Sequence, residues 1–279
     1  MSGDIRELAI RFADLWAVDP HQMVEEIYAA DIVMESMANP ARVIIGSAEL
    51  HDVERDLTAR IPDHRHELVR VIDGGHAACL ETTVVAPRTG EYAPACVWWW
   101  LDSTGKVAAE VGWFDWNARS IDSTRSHGTV PPSRGIGPQR HADWFAELAA
   151  AYAHGWSTTP SDAVFEQFHA DCTCTRVGVT EGRGIAEIAA QRGSVLDAMA
   201  PATPTMTVQR IAAEGAALAI LFVLDDGRSS TRGTVVLTLD AHDRIISERI
   251  YVDWSKAVTL DRANGRTTIG SPAWTLGRP

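Results

Sequence analysis

GKVAAEVGWFDW (residues 105–116) and DRIISERIYVDW (residues 243–254) are two versions of one strand, 138 residues apart. Both end in Asp-Trp, both carry a glutamate at the sixth position, and both have the apolar content of a strand. Upstream, FADLWAVDP and IYAAD (12–20 and 27–31) answer AAYAHGWSTTP and QFHAD (150–160 and 167–171) at an offset of 140. Phe12 meets Tyr152, Trp16 meets Trp156, Pro20 meets Pro160, Tyr28 meets Phe168 and Asp31 meets Asp171; Gly75 meets Gly215 at the same offset. Self-similarity over about 110 residues means two copies of one domain. ARSIDSTRSHGTVPPSRGIGPQR (118–140) joins them, rich in Ser, Gly, Pro and Arg and without apolar periodicity. The division is therefore 1–117, a linker at 118–140, 141–256, and a tail at 257–279.

Each copy runs helices first, then strands. Ile5, Leu8, Ala9, Phe12 and Leu15–Trp16 recur at helical spacing, a second short helix follows Pro20, and residues 46–61 place Leu50, Val53 and Leu57 on one face of a third. Short strands at 31–37 and 42–45 precede that third helix. Four longer ones follow at 66–73, 76–86, 92–101 and 106–116, and the second copy repeats the order from 141 to 254. Three helices packed on a curved antiparallel sheet, twice over, is an α+β architecture. A strongly bent sheet wrapped around helices leaves an apolar pocket at its open end.

Composition narrows the function. Thirty-seven acidic residues against 25 basic ones give a net charge of −12, which repels phosphate backbones and anionic lipid, so neither nucleic acid nor a membrane surface is expected as partner. The start MSGDIREL has no basic-then-apolar leader, and a cytoplasmic location is expected. Lys106, in a Ser-Thr-Gly-Lys turn, and Lys256 are the two lysines, poor material for a Schiff base. The cysteines, Cys79, Cys96, Cys172 and Cys174, form no CxxC pair and read as buried free thiols. No metal and no cofactor are expected.

With IYAADIVMES (27–36) and GKVAAEVGWFDW in this helix-strand order, the chain resembles the nuclear transport factor 2-like cone fold. That superfamily includes ketosteroid isomerase, limonene epoxide hydrolase, scytalone dehydratase and the SnoaL-like polyketide cyclases. The resemblance covers both halves and implies two tandem cone-shaped α+β barrel domains. It implies a fold, while function has to be argued from the site. Asp115 takes the place of the terminal-strand aspartate that activates water in limonene epoxide hydrolase. The Arg and Asp that assist it there fall at Thr82 and Val84, or at Phe222 and Leu224 in the second copy. The isomerase's base falls at Ser36 and Arg176, and its oxyanion tyrosine at Phe12 and Tyr152. Neither machinery is complete.

The candidate catalytic residues are therefore Asp115, with Asp253 as its counterpart, Glu81 as a mid-strand acid, and Tyr28 as an assisting group. Glu110 and Glu248 are opposite in phase to Asp115 and Asp253, and face the pocket if those aspartates face outward. Trp98, Trp100, Trp113, Met34, Phe12 and Tyr152 are candidates for holding a flat apolar ligand, the tryptophans alternatively for core or interface burial. His64 and His66 read as solvated. The second copy, whose strand AALAILFVL (216–224) is uniformly apolar, is the less polar pocket and the first is expected to be the active one. The expected function is carboxylate acid–base catalysis on an apolar small molecule, by cyclisation, isomerisation, dehydration or epoxide opening; the alternative is a non-catalytic binding or scaffold protein. Relatives of this fold pair through the outer sheet face, so the two copies are expected to form an internal pseudo-dimer, or the chain a homodimer.

Overall fold

The structure, a computed structural model, describes residues 4–37, 43–114, 140–157, 165–177, 180–199, 204–227 and 230–252. Helix α1 (Ile5–Val18) starts where the Asp4 side chain accepts the Arg6 N–H at 2.9 Å, and it buries Ile5, Ala9, Phe12 and Trp16 on one stripe. Asp19 caps α2 (Pro20–Ile27), whose first residue is a proline with no N–H to orphan. Strands β1 (Tyr28–Ser36) and β2 (Val43–Ile45) lead to α3 (Ser47–Arg60). Gly46 turns the chain into α3 at φ +86°, a left-handed conformation that glycine adopts without strain. The meander β3 (Arg65–Asp73), β4 (Ala78–Ala86), β5 (Glu91–Leu101) and β6 (Val107–Phe114) completes the first cone.

The second copy repeats this with α4 (Ala142–Ser157), β7 (Phe168–Arg176), β8 (Thr180–Arg183), α5 (Gly184–Met199), β9 (Thr205–Glu214), β10 (Ala217–Asp225), β11 (Ser230–Leu239) and β12 (Ile245–Tyr251). The sheets have the matching orders β2-β1-β6-β5-β4-β3 and β8-β7-β12-β11-β10-β9. They are two tandem copies of one α+β cone. The sheets are mixed rather than wholly antiparallel. The first strand lies beside the last and runs parallel to it, Met34 opposite Glu110 in one cone and Cys174 opposite Glu248 in the other.

Each sheet has two buried faces. The inner one closes over its own helices: Ala78, Leu80, Val97 and Trp99 join Phe12, Trp16 and Ile27 in one core. The outer faces of the two sheets pack on each other, where Cys79, Cys96, Trp98 and Trp113 meet Ala217, Ala219, Leu221, Val236 and Tyr251. Gly74 is part of the fit, since a Cβ there would come within 2.9 Å of the Ala212 backbone. At the centre of this contact Glu81, fully buried, receives Arg70 of its own sheet (Nε to Oε2, 2.8 Å) and three donors of the other. Those are Arg249 Nε to Oε1 and Nη2 to Oε2, both 2.8 Å, and Tyr251 OH to Oε1 at 2.6 Å. Trp98 Nε1 donates to Thr234 Oγ1 at 2.9 Å, and ion pairs Arg6–Glu214 and Arg232–Glu35 flank the contact. All four cysteines are free and buried. No described helix is long and apolar enough to cross a membrane.

Candidate functional site

The inner face of β6 presents Glu110, Gly112 and Phe114 to a cavity of about 280 Å³ between sheet and helices. Helix α1 contributes Phe12 and Trp16, α3 contributes Val53, Glu54 and Leu57, and β1 contributes Tyr28 and Met34. The wall is aromatic and aliphatic except for a few polar groups. Two of those are carboxyls with little exposure, 5% for Glu54 and 7% for Glu110.

Their surroundings differ. Glu110 Oε2 accepts the Tyr28 hydroxyl and the Trp99 indole N–H, each at 2.8 Å. Both bonds land on one oxygen. The other, Oε1, lies beside Gly112, where a Cβ would approach it to 3.3 Å, so glycine leaves this oxygen open to the cavity. Burial pushes the Glu110 carboxyl up to about 7, with the Tyr28 and Trp99 hydrogen bonds pulling the other way. Glu54 has no such support: its Oε2 is buried without a hydrogen-bond partner among the described residues. Burial, and then the charge of Glu110, push Glu54 up to about 8. Near neutral pH burial therefore favours the neutral form of Glu54 and holds Glu110 close to its titration. Burial and the neighbouring Glu110 charge in turn push the Tyr28 hydroxyl well above its usual range, so it stays a donor.

A second polar layer stands behind Trp16. Its indole Nε1 donates to His64 Nε2 at 2.8 Å, and His64 Nδ1 lies 2.6 Å from the Ile61 carbonyl. That carbonyl can only accept, which fixes His64 as the neutral Nδ1–H tautomer. His66 stacks on Trp16 at 3.6 Å and lies 3.2 Å from Thr82 Oγ1; burial, and then His64, hold its pKa well below the usual range. These histidines are buried, not solvated, because β3 curls its inner face against α1.

The second cone has the same scaffold with different furniture. Glu248, the counterpart of Glu110, accepts Tyr152 OH (2.6 Å) and Arg192 Nη2 (2.8 Å) on Oε1 and the Cys174 thiol (2.8 Å) on Oε2. The Arg192 guanidinium carbon lies 5.2 Å from the Tyr152 ring centroid, 4.8 Å from Trp156, 5.8 Å from Phe165 and 5.3 Å from Phe168. Gly46 and Gly184 both have positive φ and both would place a Cβ against the carbonyl of the first strand, Ala30 or Ala170. Eight residues beyond these glycines stand Glu54 and Arg192. Where the first cone carries a second acid, the second carries a buried arginine.

The SnoaL-like domain family matches residues 9–110, a span that includes Phe12, Tyr28, Glu54 and Glu110. The second cone shares the topology and the repeat of that span. No curated protein matches the chain. Solved structures similar to it include a provisionally assigned isomerase of the SnoaL-like family from Agrobacterium tumefaciens, 16% identical over 39% of this chain and 96% of that one, TM-score 0.34. A provisionally assigned polyketide cyclase from Streptomyces antibioticus is 9% identical over 40% and 93%, TM-score 0.35. A SnoaL-like protein of unknown function from Burkholderia thailandensis is 16% identical over 39% and 93%, TM-score 0.34.

Of the residues singled out from sequence, Tyr28, Phe12 and Met34 line the cavity of the first cone, and Tyr152 lies in the other cone on Glu248. Glu81 is not in the cavity: strand alternation puts it on the outer face of β4, held by two arginines and a tyrosine between the cones. Trp98, Trp100 and Trp113 lie on that outer face too, leaving Trp99 as the indole that reaches the inward carboxylate. Asp115 and Asp253 lie outside the described residues, as do the linker up to 139 and the tail. Glu54 was missed by sequence reasoning, although it falls on the apolar stripe of α3 with Leu50, Val53 and Leu57. Among the described residues there is no cluster of three or more His, Cys, Asp or Glu that could hold a metal ion.

Proposed function

We propose that the SnoaL-like domain catalyses proton transfer on a small molecule with an apolar body, with Glu110 as the base. The observation that carries this reading is the pair of buried carboxyls, Glu54 and Glu110, raised to about 8 and about 7 in one largely apolar cavity. A base is most effective when its pKa lies near the working pH, and burial sets Glu110 there. Oε1 takes a proton from the substrate, while Tyr28 and Trp99 hold Oε2 and fix the orientation of the carboxylate. Glu54 engages the heteroatom end of the substrate, donating to an oxygen when protonated or accepting from a nitrogen when ionised. Returning the proton to a different atom of the substrate gives isomerisation; attack of the resulting nucleophile within the same molecule gives cyclisation. At about 280 Å³ the cavity lies just below the roughly 300–1,000 Å³ range of ligand sites, which suits a substrate of one or two rings.

The second cone serves as scaffold in this reading. Its inward glutamate is neutralised by Arg192, and its outer face supplies Arg249 and Tyr251 to the joint that holds the first sheet in shape. The joint makes the chain its own dimer, and sedimentation at micromolar concentration is expected to give a single chain. The catalytic reading is tested by screening small cyclic ketones and enones for uptake of solvent deuterium. Wild-type protein is expected to accelerate exchange with at least one of them, and Glu110→Gln to lose about 10²–10⁴-fold of that rate with its circular dichroism unchanged. Exchange at the wild-type rate in Glu110→Gln removes Glu110 as the base.

A further inference from the structure

We infer that the cavity of the first cone binds a small organic cation, a protonated amine or guanidinium on an apolar stem, between Glu54 and Glu110. This deepens the proposed function by naming the heteroatom end that Glu54 engages, and it rests on that reading only for the location of the site.

The chain contains the occupied version of this site. In the second cone a guanidinium, that of Arg192, is bonded to Glu248 and lies within 5.3 Å of the ring centroids of Tyr152, Trp156 and Phe168. The repeat carries each of these partners onto the first cone: Tyr152 onto Phe12, Trp156 onto Trp16, Phe168 onto Tyr28 and Glu248 onto Glu110. All four counterparts line the first cavity. The receptor for a flat cation has thus been kept, and the tethered cation has been replaced by Glu54. In place of an arginine filling the space there are about 280 Å³ and a second carboxyl.

Charge leads to the same ligand. No Lys or Arg lines the cavity among the described residues, and Arg232, which reaches the lining residue Glu35 from the other cone, is paired there. Glu54 Oε2 is buried with no hydrogen-bond partner among the described residues. A donor from a ligand satisfies that oxygen, and a cationic donor also relieves the repulsion between the two acids. The aromatic faces of Phe12, Trp16 and Tyr28 favour a cation over a neutral group of the same shape. An anionic ligand would meet two acidic side chains and, among the described lining residues, no Lys or Arg.

The test is calorimetric titration of the full chain with benzylguanidinium and with benzylurea, which has nearly the same shape and no charge. The expected result is one site per chain at which the cation binds at least tenfold more tightly than the urea. Glu54→Arg, which copies the second cone, is expected to abolish that site, and Glu54→Gln to weaken it at least tenfold. Equal binding, a preference for benzylurea, no binding of the cation, or cation binding undiminished in both variants overturns the inference. A preference for the neutral ligand leaves proton transfer by Glu110 standing, with an oxygen at the Glu54 end. Deuterium exchange that survives in Glu110→Gln removes the catalytic reading while leaving the cation site intact.

Discussion

Replacing Glu54 by Gln should make the protein more stable, and increasingly so as the pH rises. Gln keeps the shape of the side chain and removes its charge. In the folded state burial, and then Glu110, push the Glu54 carboxyl from 4.5 to about 8. Below pH 4.5 Glu54 is protonated whether the chain is folded or not, and it contributes no pH dependence. Between pH 4.5 and 8 the unfolded chain releases this proton and the folded chain keeps it, so stability falls by about 1.4 kcal/mol for each pH unit. Over the full interval that is about 5 kcal/mol. Structural relaxation around the buried group brings the expected value to about 2–4 kcal/mol. Urea denaturation midpoints of wild-type and Glu54→Gln protein at pH 5 and pH 9 measure it. The advantage of the glutamine variant should be small at pH 5 and grow by that amount at pH 9. An advantage that does not change with pH, or a variant less stable than wild type at pH 9, refutes the reasoning that Glu54 is held neutral by its surroundings.

Removing the Tyr28 hydroxyl with Tyr28→Phe deletes one of the two hydrogen bonds that lower the Glu110 pKa. The acidic limb of the exchange-rate profile should move up by about one pH unit, read from rates between pH 5 and 9. Arg192→Met should destabilise the protein by about 3–5 kcal/mol, because it leaves Glu248 buried without its counter-ion, with little effect on ketone exchange in the first cone. Urea midpoints and exchange rates separate those two effects. Glu81→Gln should cost a similar amount, since Arg70 and Arg249 both lose the charge they share between the sheets.

The repeat made the architecture legible. Offsets of 140 and 138 give the helices, the meander and the second cone, and the differing offsets reflect connections of slightly different length. The site was harder to read because β4 is buried at all nine positions, so the usual contrast between a wet and a dry face is missing. Glu81 and Glu110 are both acids within apolar strands, and sequence alone does not say which face looks into a cone. Repetition was the available signal: Glu110 recurs as Glu248, whereas the counterpart of Glu81 is Leu221. For the same reason the three tryptophans stayed open between a ligand wall and interface burial, and their large apolar surfaces lie between the sheets. Glu54 was legible as an acid on the dry stripe of α3, a position where an unpaired carboxylate is costly. Its meaning emerges only beside Arg192, because the pairing of α3 with β6 is a tertiary contact.

One cone holds two acids poised near neutral pH, while the other has locked its acid in an ion pair. Carbon-13 NMR of the glutamate side-chain carboxyls between pH 4 and 9 tests this most directly, with Glu110→Gln and Glu54→Gln assigning the signals. Two resonances are expected to titrate near 7 and near 8, the first lost in Glu110→Gln and the second in Glu54→Gln. Titration of both carboxyls near 4.5 would contradict it.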